Sequence, residues 1–262
     1  LFRSVTLAKL ADSDYEYLRP EMIPRYDLYL SFTGGSVLGY LENEMGSPMA
    51  RPLYCSVDPN LYYPMNNEIP AEFDLGYMGT YSDDRQPSLE RLLFEPARRR
   101  PGGRFVVAGP QFPDALEWPV NIERIEHLPP SKHCRFYTSQ RFTLNITRRE
   151  MIQWGYAPSV RLFQAAAGAV PIISDYWEGI DSFFSIGGEI LISRSPEETL
   201  RYITEIPEEK RREMARKARQ RVLAAHTAAH RAEEMENFLI KAWEKKTDGR
   251  NKEDHESKRV IG

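Results

Sequence analysis

Six short apolar runs alternate with helical patterns from about Asp74 onward, and this alternation limits the possible folds more than any other feature. Runs of this kind, separated by amphipathic segments, are typical of parallel strands joined by crossover helices. The six predicted strands are DLGYMGT (74–80), RFVVAGP (104–110), IERIEHL (122–128), RFTLNIT (141–147), VPIIS (170–174) and EILIS (189–193). The sequence therefore predicts an α/β domain with a doubly wound, parallel, six-stranded sheet.

Composition limits the partners of the chain. The 35 basic and 38 acidic residues are interspersed, and the net charge of -3 comes with no basic stripe, so nucleic acid is not an expected partner. A hydrophobic fraction of 41% is enough for a core, while no run of about 18 apolar residues predicts a membrane span. Cys55 and Cys134 occur without a CxxC motif, so we predict that both are reduced and buried, as expected in a cytoplasmic protein.

One segment, 155–175, has the features of an anion site followed by a buried strand. Ser159 stands where a helix begins, and its hydroxyl is a candidate cap for the free backbone N–H groups there. Those N–H groups and the helix dipole favour a negative charge, to which Arg161 adds a nearby cation. The pattern points to a diphosphate-bearing ligand, although an ordinary strand and helix packing in the core would show the same residues.

The loop after the first strand, GTYSDDR, carries a second candidate set. Gly79 permits a close backbone approach, and Arg85 is in position to reach a phosphate. Neither GxGxxG nor GxxxxGK[ST] occurs, so NAD-type redox chemistry and P-loop hydrolysis lose their main support and a nucleotide sugar is favoured. Asp83 and Asp84 adjoin Arg85 and are expected to shape the loop or cap its helix, so we predict no metal site.

Eight blocks, spread over nearly the whole chain, resemble one family. They are YDLYLSFTGG, ARPLYCSVDPNLYYP, DLGYMGTYSDDRQP, RFVVAGP, NIERIEHLPP, FTLNITR, GYAPSVRLFQAAAGAVPIISDYWEGID and AAHTAAHRAE. In order and content they look like the CgeB-like glycosyltransferases, a family of GT-B type first associated with the spore coat. The resemblance implies a bacterial, metal-independent enzyme without a cofactor, which moves a sugar from a nucleotide-diphosphate donor to an acceptor that the sequence does not identify.

The resemblance also implies a division into domains. Residues 67–246 correspond to the C-terminal, Rossmann-like, nucleotide-sugar-binding domain, and 1–66 to only part of the N-terminal, acceptor-side, Rossmann-like domain. The mixed-charge segment 247–262 is predicted to be disordered. Because the acceptor domain usually supplies the general base, we assign no catalytic residue and expect the chain to be part of a longer protein. The sequence specifies no oligomeric state.

The family's donor contacts transfer to particular positions. The implied diphosphate-binding residues are Gly79, Arg85, Ser159, Val160 and Arg161, and the implied base-binding residues are His127 and Leu128. The ribose position is occupied by Gln164 where related transferases carry a carboxylate. A neutral amide accepts weaker hydrogen bonds, by about 1 to 2 kcal/mol, so the enzyme is expected to be impaired and Gln164→Glu to tighten nucleotide binding.

Further residues are candidate sugar or cleft contacts. Asn145, Thr147 and Arg148 end the fourth strand, where turn chemistry would explain them equally well. Tyr156 stands where many relatives carry an acidic residue near the sugar. Trp177 and Glu178 follow the fifth strand, and packing of the tryptophan in the core is an equal alternative.

Two functions remain open at this point. The retained Gly79, Arg85 and helix start favour a sugar transferase. The neutral Gln164 and the short N-terminal region favour a non-catalytic nucleotide-sugar-binding or scaffold protein derived from a truncated glycosyltransferase.

Overall fold

The computed structural model describes residues 20–65 and 71–260 and divides them into two compact units. One consists of 20–54 with 229–260, and the other of 55–228. The predicted boundary at 66/67 lies outside the described residues. The second unit begins earlier than the predicted domain, because the backbone of Val57 bonds to His226 and Ala228 at the unit's other end.

The first unit is small. It contains a 3-10 helix (Pro20–Arg25), strand β1 (Tyr29–Ser31), helix α1 (Ser36–Asn43), strand β2 (Ala50–Pro52) and most of helix α8 (Ala228–Val260). The two strands pair in parallel, and Ile23, Leu41 and Ala50 form their buried cluster. Helix α8 continues to Val260, through most of the predicted disordered tail, because that segment is rich in residues that favour helix and contains no proline.

The second unit contains the six predicted strands, each in its expected place. They are β3 (Phe73–Met78), β4 (Phe105–Ala108), β5 (Ile122–Ile125), β6 (Gln140–Asn145), β7 (Ile172–Ser174) and β8 (Ile190–Ile192). All pairings are parallel, in the order β5-β4-β3-β6-β7-β8. The predicted α/β class and the doubly wound parallel sheet are confirmed.

Helices cover the sheet. They are α2 (86–99), α3 (His133–Thr138), α4 (Arg149–Trp154), α5 (Val160–Ala167), α6 (Pro196–Glu205) and α7 (Glu208–Ala225). Helix α5 is narrow because three of its last residues are alanines, all buried, so it lies close on the sheet with α7 packed beside it. Ser195 caps α6 by accepting a hydrogen bond from the backbone N–H of Glu198, as its sequence predicts.

Helix α2 is irregular. It begins with an α-helical turn (Gln86–Leu89), continues with a π-helical turn (Glu90–Phe94) and ends with Glu95–Arg99. Within the π-helical turn the side chains of three consecutive residues, Leu92, Leu93 and Phe94, are fully buried. They pack in the same cluster as Leu75, Phe105 and Phe142 from the sheet.

Within the described residues, no helix combines the length and apolar content that a membrane crossing needs. Within the described residues Cys55 and Cys134 form no disulfide, and both are partly exposed, so the prediction that they are buried is wrong.

Candidate functional site

The reversal of strand order selects one edge of the sheet. Strands β3 and β6 are neighbours, although β4 and β5 separate them along the chain. Helices that follow such neighbours leave toward opposite faces of the sheet and open a crevice at the carboxyl ends of the strands. Gly79 and Thr80 follow β3, and Ile146, Thr147 and Arg148 follow β6.

Arg161 joins the two strands at this crevice. Its Nη1 donates to the carbonyl of Met78 at 2.6 Å, and its Nη2 donates to the carbonyl of Ile146 at 3.2 Å. The guanidinium also lies 5.3 Å from the ring centroid of Tyr77. Within the described chain it forms no direct ion pair with a carboxylate, although its charge acts to lower the pKa of the nearby Asp175.

Gly79 is required by the position of Arg161. A Cβ at this glycine would lie 2.5 Å from Arg161 Nη1 and 2.5 Å from the hydroxyl oxygen of Tyr77. Such contacts are shorter than atoms tolerate, so no larger residue fits without displacing the arginine. The group that lies close to Gly79 in the structure is this guanidinium, and the approach of a diphosphate to Gly79 stays a prediction.

Arg85 is a buried cation. Its side chain is only 7% exposed, its Nη2 donates to the carbonyl of Thr80, and its Nε has no hydrogen-bond partner among the described residues. Burial is the main cause that lowers the pKa of this guanidinium, and the nearby charges of Arg161 and Arg148 lower it further. An arginine remains protonated at neutral pH even so. Arg85 is thus buried close to two half-buried arginines and to one acid, Asp84, an arrangement with excess positive charge that favours an anion.

The start of α5 lies beside Arg161, but Ser159 does not cap the helix as the sequence predicts. Ser159 occupies the N-cap position, yet its hydroxyl accepts a hydrogen bond from Arg161 Nε at 3.2 Å and makes no capping bond. The predicted capping role is wrong because Arg161, two residues later, competes for the hydroxyl. With no side-chain cap, the backbone N–H groups beginning at Val160 remain available to an anion.

A buried polar network lies beside this edge, after β6 and β7. The Asp175 carboxylate accepts hydrogen bonds from the Thr147 N–H and Thr147 hydroxyl, both at 2.8 Å, and from the Ser174 hydroxyl at 3.3 Å. Asn145 Nδ2 donates to Ser174 Oγ at 2.9 Å. Burial outweighs these bonds and raises the pKa of Asp175. The network holds the segment that carries Ile146 and Arg148 in place.

Sequence reasoning missed Asp175. The signal was present, since Asp175 is the first residue after a fully buried strand at the edge where ligands bind. Asn145 and Thr147 are buried members of its network, so they support the crevice rather than line it.

Tyr156 has an unusual backbone. Its φ is 44°, a left-handed value uncommon for a residue with a side chain, and it follows Gly155 with φ 65°. Its N–H donates to the carbonyl of Glu178 at 2.6 Å, and its ring lies against Gly179. Backbone strain of this kind is found preferentially at functional sites. Glu178 is exposed, whereas Trp177 is 1% exposed and packs on Phe183, so the core-packing alternative for the tryptophan is confirmed.

The predicted nucleoside contacts lie further along the sheet. His127 is exposed and follows β5, two strands away from β3, which is about 10 Å at normal strand spacing. Leu128 is half-buried, and its carbonyl lies 3.1 Å from His133 Nε2. Gln164 is half-buried and contacts two tyrosines, since its Nε2 donates to the Tyr62 hydroxyl and its Oε1 accepts from the Tyr137 hydroxyl.

The acidic residues of the first loop act in the loop itself. Asp83 accepts from the Tyr81 hydroxyl at 2.7 Å, and Asp84 accepts from the Ser82 hydroxyl and from the backbone N–H of Arg149, the first residue of α4. In the described part of the chain, no group of three or more His, Cys, Asp or Glu side chains is arranged to hold a metal ion.

Solved structures similar to this one are glycosyltransferases. A sucrose-phosphate synthase from Thermosynechococcus elongatus is 13% identical with a TM-score of 0.69, and the alignment covers 92% of this chain and 67% of that one. Anabaena Alr3699/HepE, solved in complex with UDP-glucose, is 11% identical with a TM-score of 0.64 over 82% of this chain and 64% of that one. AviGT4, a glycosyltransferase involved in avilamycin A biosynthesis, is 15% identical with a TM-score of 0.57, covering 82% and 65%.

These likenesses establish the fold, which is that of the GT-B glycosyltransferases. The chain spans about two thirds of the length of these proteins. No curated protein sequence matches it.

A family model matches residues 85–237, from the buried Arg85 to the first third of α8. The match covers more than half of the 262 residues and includes the start of α5, the Asp175 network and Gln164. The family is described as glycosyl transferase-like. The chain belongs to this glycosyl transferase-like family.

Proposed function

We propose that this chain is the donor-binding part of a glycosyltransferase that takes its sugar from a nucleotide-diphosphate donor. The observation that carries the proposal is the buried Arg85, which lies near Arg148 and Arg161 and forms no ion pair with a carboxylate within the described residues. Buried charges are normally paired, and here Arg85 and Arg161 interact with Asp84 and Asp175 without a direct ion pair among the described residues. Such a site is suited to a strong anion such as a diphosphate.

The proposed chemistry is displacement at the anomeric carbon with the nucleoside diphosphate as leaving group. Its growing negative charge would be met by Arg85, by Arg161 and by the N–H groups at Ser159 and Val160. Gly79 leaves room for the Arg161 guanidinium at this place. Fixed cations serve the purpose that a divalent metal serves in other transferases, so we propose a metal-independent reaction without a cofactor.

The remaining site residues are assigned by position. Gln164 would contact the ribose, and the segment at His127 and Leu128 would lie near the base. Arg148, Tyr156 and Glu178 are the proposed sugar or cleft contacts, supported by Asn145 and Thr147. The similar Anabaena protein was solved with UDP-glucose, which supports a nucleotide-sugar donor.

The acceptor side is proposed to lie outside the donor-binding region. We assign the second unit, 55–228, to the donor domain that the sequence predicts at 67–246, and the residues before it to part of the acceptor-side domain predicted at 1–66. This leaves the general base to residues elsewhere or to another chain. Within the glycosyl transferase-like family we propose a CgeB-like, bacterial, cytoplasmic member. The non-catalytic alternative is less favoured, because the family and the similar structures are glycosyltransferases.

Calorimetric titration with UDP, GDP, ADP, TDP and the matching monophosphates tests the proposal. We expect one nucleoside diphosphate to bind best, and its monophosphate to bind more weakly because it reaches fewer cations. Arg85→Met should weaken diphosphate binding by about 10- to 100-fold, the value of a charged hydrogen bond, while Arg212→Met on α7 should not change it. Hydrolysis of the matching sugar donor then tests catalysis. Equal binding by Arg85→Met and wild type would refute the assignment.

A further inference from the structure

Five groups in the second unit form one continuous chain of hydrogen bonds, which we call the Tyr62 chain. The contacts run from the Leu128 carbonyl to His133 Nε2 (3.1 Å) and from His133 Nδ1 to the Tyr62 hydroxyl (3.3 Å). They continue from Tyr62 to Gln164 Nε2 (2.9 Å) and from Gln164 Oε1 to the Tyr137 hydroxyl (3.1 Å). Its members come from four separate parts of the sequence.

With a neutral imidazole at His133, the direction of every bond in the chain follows from its ends. A carbonyl can only accept, so His133 Nε2 must carry the proton that points at Leu128. In the neutral imidazole Nδ1 is then the acceptor, and the Tyr62 hydroxyl donates to it. The Tyr62 oxygen is thereby free to accept from Gln164 Nε2.

The other end of the chain gives the same direction. Burial strongly raises the pKa of Tyr137, so its phenol keeps its proton and donates it to Gln164 Oε1. Gln164 thus accepts on one side and donates on the other. Every hydrogen bond along the chain thus joins one donor to one acceptor.

A neutral amide satisfies both neighbours at position 164 while His133 stays neutral. A carboxylate would accept from Tyr137 and also from Tyr62, which would turn the Tyr62 proton away from His133. The neutral His133 Nδ1 would then lose its donor, because its other nitrogen must hold the proton for Leu128. Gln164 is therefore matched to Tyr62 and Tyr137. From this geometry we expect Gln164→Glu to weaken binding, the opposite of what the resemblance implies.

The position of the chain connects it with the donor site. Gln164 lies in α5, about one turn after Ser159, and Leu128 follows β5. These are the residues assigned above to the ribose and to the base. Two groups on Gln164 remain uncommitted, one N–H and one lone pair, and both are held in a fixed orientation by the chain.

We propose that the Tyr62 chain orients Gln164 for the nucleoside of the donor, and that Tyr62 is a positioning residue for donor binding. The inference rests on the proposed function, because it takes Gln164 as the ribose contact. It adds a residue from the segment before the sheet, and a defined proton arrangement, to a site otherwise formed by strand ends and α5. Tyr62 and His133 are expected to affect donor affinity and not the turnover of bound donor.

The binding test uses the nucleoside diphosphate that binds wild type most tightly among UDP, GDP, ADP and TDP. Tyr62→Phe should raise its dissociation constant about 10-fold, since the hydroxyl that holds both Gln164 and His133 is lost. Gln164→Glu should also weaken binding. Tyr63→Phe is the matched control, because this neighbouring tyrosine is exposed and outside the chain, and it should bind like wild type. With saturating sugar donor, kcat for donor hydrolysis by Tyr62→Phe should equal that of wild type.

A second measurement tests the chain without any ligand. The ¹⁵N signals of the His133 imidazole should show a protonated Nε2 and a hydrogen-bonded, unprotonated Nδ1 in wild type. The Nδ1 signal should shift in Tyr62→Phe and in Gln164→Glu, and stay unchanged in Tyr63→Phe. The opposite tautomer in wild type would overturn the inference.

The outcomes separate this inference from the proposed function. If wild type binds a nucleoside diphosphate and Tyr62→Phe binds it equally well, the inference fails and the proposed function stands. If wild type binds none of the four, the proposed function fails and takes the inference with it, even where the ¹⁵N signals match the chain.

Discussion

Arginines lie at both ends of the parallel strands, which we call the carboxyl edge and the amino edge of the sheet. Their electrostatic settings are opposite. At the carboxyl edge, Arg85 and Arg161 hydrogen-bond to backbone carbonyls and form no ion pair within the described residues. At the amino edge, Arg211 and Arg212 both bind the carboxylate of Glu208. The hydrogen bond from Arg211 is the main cause that lowers the pKa of Glu208 to about 2, with a further contribution from Arg212.

The amino edge also has an open groove. A groove of about 440 Å³ lies there, lined by residues of α7 and by Gln140, Val170 and Ala71, which stand at the starts of strands. Its charges are largely compensated or exposed to water, so it resembles a solvated helix face. Burial without a direct ion pair is therefore the criterion on which we propose the carboxyl edge, and not the groove at the amino edge, as the anion site.

Two glycines at the ends of β4 give the largest expected contrast between the edges. A Cβ at Gly109, at the carboxyl end, would lie 2.1 Å from the carbonyl oxygen of Gly79, and its φ is +147°. We expect Gly109→Ala to lower the free energy of unfolding by about 3 kcal/mol, because steric overlap and backbone strain add. Gly102, at the amino end, has nothing within 4 Å of its Cβ position. Gly102→Ala should be neutral or slightly stabilising. Urea titrations of the two variants and of wild type measure both effects.

Equal stability of the two glycine variants would show that the loops after β3 and β4 are less tightly packed than described. The crevice would then lack the rigid backbone that holds Arg161 beside Gly79.

A second contrast concerns ligand affinity. Arg161→Met should weaken nucleoside diphosphate binding about 30-fold, equivalent to about 2 kcal/mol, because a charged donor is lost from the anion site. Arg216→Met on α7 removes an exposed arginine that contacts Gln220, and it should leave the dissociation constant unchanged. Calorimetry measures both. A larger loss for Arg216→Met than for Arg161→Met would move the binding site to the amino edge.

The smallest expected effects have opposite pH dependence at the two edges. The pKa of Glu208 is about 2 in the folded chain against an ordinary 4.5, so its stabilisation is complete above pH 4.5 and is lost as pH falls toward 2. Its side chain is 46% exposed, so Glu208→Gln should cost less than about 1 kcal/mol at pH 7 and nothing near pH 2.

Asp175 should behave in the reverse way. Burial raises its pKa above the ordinary 3.8, so its contribution is most favourable below pH 3.8 and declines as pH rises through the raised value. The stability of wild type relative to Asp175→Asn should therefore fall with increasing pH, whereas that relative to Glu208→Gln should rise. Parallel slopes from urea titrations between pH 2 and 8 would refute the assigned environments.

The sequence predicts the elements of the second unit well, because each strand is a short apolar run and each helix has its own periodicity. Gly79, Arg85 and Arg161 could be selected because strand ends and helix starts are local features. The bond from Arg161 to Ser159 competes with a cap that the sequence pattern alone suggests, and local patterns do not decide between them. The contact between Tyr62 and Gln164 joins residues 102 positions apart, which no periodicity encodes.

The π-helical turn of α2 should allow this helix to tolerate the deletion of one residue. A π turn holds one residue more than regular winding, so both flanks keep their angular register when that residue is removed. Deleting the exposed Arg91 should convert Glu90–Phe94 to ordinary α-helix while Arg85 and the buried Ala97 keep facing as they do now. Elsewhere in a helix, a one-residue deletion turns everything beyond it by about 100°. The extra residue of the π-helical turn therefore allows α2 to become one residue shorter without a change in the orientation of Arg85, which precedes the helix.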